Sequence, residues 1–141
     1  MKLNRFGMTL TEIMIVAVIM VILASLAVPN YFRTVEEARA NEAKANLSTI
    51  YFAQKIFKEN NSVKKYYPAG GGSSSTSTSG EFADMKTQLN VDFTVNYYGI
   101  VVSTATGGST TAYSAVATRA GGSRTYTLDS STGNITASGS F

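Results

Sequence analysis

Among its 141 residues the chain has no cysteine, no histidine and no tryptophan. Without cysteine, no disulfide can staple the fold and no thiolate can serve as nucleophile or metal ligand. Without histidine, the commonest general base and the commonest metal-ligating side chain are missing. Proline occurs only at positions 29 and 68. Charge is sparse as well, and beyond residue 90 only Asp92, Arg119, Arg124 and Asp129 carry any. The net charge of +3 and pI near 9.2 come from scattered residues. The one adjacent basic pair, Lys64-Lys65 before Tyr66-Tyr67, reads as a solvated loop rather than a nucleic-acid patch. Two of the basic residues, Lys2 and Arg5, precede Gly7, so loss of that leader would leave the charges nearly balanced. No cluster of acid, base and nucleophile emerges, so the chain is read as a non-enzyme. No cofactor or metal site is expected, because Asp84, Asp92 and Asp129 form no recognisable calcium loop.

What is present starts with "RFGMTLTEIMIVAVIM", residues 5 to 20. From Ile13 to Val28 there is no charge, and Ser25 is the one clearly polar side chain. Residues 8 to 28 as a helix would reach about 31 Å, close to the thickness of a bilayer core. Lys2 and Arg5 on the N-terminal flank predict an N-in, C-out orientation. Glu12 beside such a run is expensive if the run enters lipid, so it needs a partner or a purpose.

After Pro29 the helical pattern continues. Val35, Ala38, Ala43, Leu47, Ile50, Ala53 and Phe57 recur at steps of three, four and five. The spacing predicts one long helix from Met8 to about Glu59, roughly 78 Å at the standard rise, apolar all round in its first half and amphipathic in its second. Pro29 inside it would remove a hydrogen bond and bend the axis. The stretch "PAGGGSSSTSTSG", 68 to 80, predicts a loop or linker by composition. Beyond it, "FTVNYYGIVVST", "AYSAVAT", "RTYTLD" and "ITAS" predict a small antiparallel sheet, closed by a final hairpin at "SSTGN". The fold class expected is α+β: one long helix whose second half packs on that sheet. The expected organisation is a leader at 1–7, a membrane and polymerisation segment at 8–29, and a head at 30–141. Within the head lie helix 30–60, a variable loop 61–90 and the sheet 91–141.

The N-terminal pattern of Gly7, Met8, Glu12 and Pro29 resembles the class III signal of type IV pilins and their pseudopilin relatives. In that family a short basic leader ends in glycine, the mature chain begins after it, and glutamate and proline are its fifth and twenty-second residues. Counted from Met8, these are Glu12 and Pro29. Met8 stands where the family usually has phenylalanine, Thr11 where it usually has an apolar residue. The apolar run lacks the glycine many pilins carry. The resemblance implies cleavage between Gly7 and Met8 by a prepilin peptidase, with N-methylation of Met8. It further implies an assembly role for Glu12, paired with the amino terminus of an adjacent subunit, and a helix bend at Pro29. It implies a homo-oligomeric helical filament, built at an inner-membrane assembly platform from subunits held in the membrane before assembly. No specific nucleic-acid partner is inferred.

Three functions stand: a type IV pilus subunit, a pseudopilin of a type II secretion or DNA-uptake system, and a secreted or membrane-anchored binding module with no filament. Major pseudopilins typically carry a calcium loop with a Trp-Gly signature, and the absence of tryptophan favours the pilus. Plainer readings exist for the motif. Glu12 could snorkel to headgroups beside an ordinary anchor. Ser25-Leu26-Ala27 could end a conventional secretory signal. The aromatics Tyr31, Phe32, Tyr51, Phe52 and Phe57 are read as packing groups. Asn46-Leu47-Ser48 and Asn134-Ile135-Thr136 match a glycosylation sequon that is frequent by chance.

Overall fold

The computed structural model describes residues 8–76, 79–105, 108–109 and 111–140. It divides into two units, Met1–Glu37 and Ala38–Phe141. Helix α1, Leu10–Asn60, contributes to both and contains Pro29.

In the first unit the helix is exposed throughout its apolar run, from Leu10 to Val28. By length and composition this helix can cross a membrane. Pro29 has no N–H to give to the carbonyl one turn back. Polar side chains donate to other carbonyls of the same stretch: Ser25 Oγ to Ile22 O at 2.7 Å, Asn30 Nδ2 to Leu26 O at 3.4 Å and Thr34 Oγ1 to Asn30 O at 3.0 Å. Arg33 Nε and Glu37 Oε1 form an exposed pair at 3.1 Å, one turn apart.

The second unit is an α+β head. Its part of α1 buries Ala40, Ala43, Leu47, Ile50, Ala53 and Gln54. Ala38, expected on this face, is exposed, and Ala40 takes its place in the core. Five antiparallel strands form a meander in the order β1 (Gly72–Ser75), β2 (Tyr98–Thr104), β3 (Ser114–Arg119), β4 (Thr125–Asp129) and β5 (Ile135–Ser138). The register aligns Ile100, Ala117, Tyr126 and Ala137 in one row, and Val102, Ala115, Leu128 and Ile135 in the next. Ile100, Val102, Ala115, Ala117, Tyr126 and Leu128 are buried in one cluster with the helix residues. Alanines on the central strand leave room for the larger Leu47 and Ile50.

The structure departs from the compositional reading between residues 68 and 90. Gly72–Ser75 is an edge strand paired to β2, and helix α2 spans Ser79–Leu89. The edge strand needs only backbone groups for its ladder, so serine and glycine content did not forbid it. Ser74 is buried and within 3.1 Å of the Tyr67 hydroxyl. In α2, Met85 and Leu89 are buried one turn apart, with Phe82 packed against the core. Conversely, the run 93–97 is irregular and strand β2 begins only at Tyr98. Gln54 fastens the post-helix chain: Nε2 donates to Tyr67 O and Oε1 accepts from Tyr67 N, both at 2.8 Å.

Candidate functional site

Of the expected site residues, Gly7 and the leader 1–7 lie outside the described residues. Met8, Glu12 and Pro29 all belong to the first unit. Thr9 caps the helix: its carbonyl accepts from Glu12 N at 3.1 Å and Ile13 N at 3.3 Å, and its Oγ1 lies 3.3 Å from Glu12 N. Thr9-Leu10-Thr11-Glu12 is a Thr-x-x-Glu capping sequence, a signal the family motif overshadows. Thr9 Oγ1 also lies 3.2 Å from Thr11 Oγ1. Glu12 therefore stands in the first turn, where a carboxylate is favoured by the unpaired N–H groups and by the helix dipole.

The same electrostatics make the position of Met8 informative. A free ammonium on Met8 would sit one residue before the cap, at the positive end of the helix. It would gain from a carboxylate close by, and more so if both were taken out of water. Met8 and Glu12 are exposed, and among the described residues no cation pairs with Glu12. The arrangement presents one exposed carboxylate, that of Glu12, in the first turn of the helix.

The second unit holds a cleft of about 450 Å³ lined by Phe57, Tyr67, Ser74, Glu81, Asp84 and Gln88 among others. Several of its polar groups bond within the fold. The Tyr67 hydroxyl donates to Asp84 Oδ2 at 2.9 Å, Ser74 Oγ to Glu81 O at 3.2 Å, and Ser75 N to Glu81 Oε2 at 3.0 Å. Burial raises the Tyr67 pKa above its ordinary value; Asp84 adds to this and the Ser74 hydrogen bond opposes it. Among the described residues no three His, Cys, Asp or Glu side chains come together as a metal site.

Comparison with known proteins finds a homologue in the type IV major pilin protein PilA of Myxococcus xanthus (strain DK1622), 44% identical over 62 residues. The match covers 40% of this chain and 28% of that protein, so the chain spans well under a third of its relative's length. No family model matches the chain, and no solved structure matches it significantly.

Proposed function

We propose that the chain is a type IV pilin, a structural subunit that polymerises through its apolar N-terminal helix into a surface filament. One observation carries the reading: an exposed apolar helix, with Glu12 in its first turn and Pro29 at the family's spacing, joined to a compact α+β head. Similarity to a type IV major pilin supports the pilus over a secretion pseudopilus. On this reading the precursor sits in the inner membrane with its N terminus inside. A prepilin peptidase cuts between Gly7 and Met8, and Met8 is methylated. An inner-membrane platform then stacks the subunits. Glu12 holds the Met8 ammonium of a neighbour as both enter the filament core, and Pro29 supplies the bend in the helix.

Electron microscopy of sheared surface filaments, with terminal sequencing of their subunit, tests this. The expected outcome is filaments whose subunit begins at Met8. A subunit beginning at Val28 establishes the secretory signal instead. Surface material that contains this chain but no filament establishes the anchored binding module.

A further inference from the structure

Tyr31 and Phe32 are among the aromatics read in the sequence as packing groups, yet both are exposed, at 67% and 63%. Among the described residues their ring contact is with each other, centroids 6.1 Å apart and edge to face. They stand just beyond Val28, where the uncharged run ends, on a helix that can cross a membrane. Tyrosine joins an apolar ring to a polar tip and so suits the boundary between hydrocarbon and water.

Helix length gives these rings a task. The run from Ile13 to Val28 is sixteen residues, about 24 Å as a helix. A bilayer core is about 30 Å thick, so the run alone falls short of it. The missing length can come from either end. At the N-terminal end the next side chains are Glu12 and Thr11, and a carboxylate is among the costliest groups to place in hydrocarbon. At the other end they are Pro29, Asn30, Tyr31 and Phe32. Proline brings no donor. Asn30 Nδ2 donates to Leu26 O at 3.4 Å and Thr34 Oγ1 to Asn30 O at 3.0 Å, so part of the hydrogen bonding of this stretch is met inside the helix. From Glu12 to Tyr31 the rise is about 29 Å, close to the core thickness.

We propose that Tyr31 and Phe32 are a lipid anchor: they seat in the outer headgroup boundary of a phospholipid bilayer, set the depth of the helix, and hold Glu12 at the inner boundary in contact with water. The inference rests on the membrane-held, N-in precursor of the proposed function. The Tyr31 hydroxyl faces the headgroups while its ring and that of Phe32 cover the first carbons of the acyl chains. Arg33, paired with Glu37 at 3.1 Å, follows and keeps the next charges outside the core. Glu12 then keeps its charge at little cost until it leaves the bilayer edge.

The absence of tryptophan and cysteine makes the test direct. Full-length chains carrying Tyr31→Trp or Ile22→Trp are reconstituted in vesicles of phosphatidylcholine and phosphatidylglycerol. The phosphatidylcholine is brominated near either the carboxyl or the methyl end of its acyl chains, and bromine quenches an indole beside it. The Tyr31→Trp indole should be quenched several-fold more by bromine near the carboxyl end, and the Ile22→Trp indole by bromine near the methyl end. If aqueous iodide but neither lipid quenches Tyr31→Trp, the ring lies outside the membrane and the anchor is overturned. Stronger quenching of Tyr31→Trp from the methyl end overturns it too, by placing the ring at the midplane. Absence of bromine quenching in Ile22→Trp overturns the membrane reading itself. A second experiment asks whether the rings set the depth. Inside-out membrane vesicles from cells producing the Thr11→Cys chain are treated with a membrane-impermeant maleimide. Adding Tyr31→Ser and Phe32→Ser should slow labelling several-fold: serines stay in water, the outer boundary falls back toward Val28, and a core's length of helix then reaches past Thr11. An unchanged rate overturns the depth-setting role. A Thr11→Cys thiol closed to the reagent with both rings intact overturns the placement of Glu12.

Discussion

At the scale of single residues, Glu12 serves the helix and, as proposed, the filament, and one substitution separates the two. Glutamine is accepted in the third helical position of a capping box, so Glu12→Gln keeps the local cap at Thr9 and removes only the charge. Leader cleavage and membrane insertion should persist. Assembly should fall sharply, because breaking a buried pair costs about 3–5 kcal/mol and the cost recurs at every subunit. Counting filaments on cells that carry only this variant checks it; normal number and length would assign Glu12 to capping alone. Asp129 gives a second residue-level test. Its carboxylate accepts from Ser131 Oγ at 2.7 Å and Ser131 N at 2.8 Å, and these bonds, the side-chain one foremost, lower its pKa from 3.8 to about 2. The folded state thus holds its proton less tightly than the unfolded state. The stabilisation is complete above about pH 4 and fades as pH falls toward 2. Melting curves of wild type and Asp129→Asn should differ at pH 6 and converge near pH 2. A difference that stays constant across that range would assign the effect to something other than this charge.

At the scale of elements, the last hairpin and the first strand carry the informative tests. Gly133 sits in the β4–β5 turn at φ 79°, and a Cβ there would lie 2.8 Å from the Tyr51 ring. Gly133→Ala should therefore destabilise the head by about 1–3 kcal/mol from backbone strain, more if Tyr51 cannot yield. A denaturant midpoint unchanged by the substitution would show that ring and turn both relax freely. Removing Gly72–Ser75 should also lower the midpoint, because it strips β2 of its edge partner and Tyr67 of Ser74. No change on that deletion would restore the reading of the stretch as a slack loop. Helix α1 is legible in sequence because its alanines favour helix and its core positions repeat at helical spacing. The strands β2 to β5 are legible from their valine, threonine and tyrosine and from the glycine turns between them. Strand β1 is not, since its side chains carry no hydrophobic period and its pairing is decided by the neighbour already in place. In α2, the spacing of Phe82, Met85 and Leu89 is a helical signal that the surrounding serine-rich composition obscures. Thr9 was legible as a cap from Thr-x-x-Glu alone, whereas the buried amide of Gln54 looks in sequence like one more surface glutamine.

At the scale of the whole molecule, the two units differ in surface: the first leaves its apolar helix exposed, and the second buries its own core. The head buries its own core and has its own sheet, so a fragment beginning at Asn30 should fold without lipid. Its stability should be modest, as expected for a domain of about 110 residues without disulfides. The same fragment keeps Phe52 and Ile56 exposed on α1. A patch with two large apolar side chains is far smaller than the roughly 1,200 Å² that a specific, stable interface buries. The fragment should therefore sediment as a monomer at micromolar concentration and melt cooperatively. In the full chain the exposed apolar helix from Leu10 to Val28 adds a far larger apolar surface than the head leaves uncovered. A stable dimer of the fragment would show that the head's surface associates without the apolar helix. A fragment that fails to fold would show instead that the head depends on the helix it was severed from.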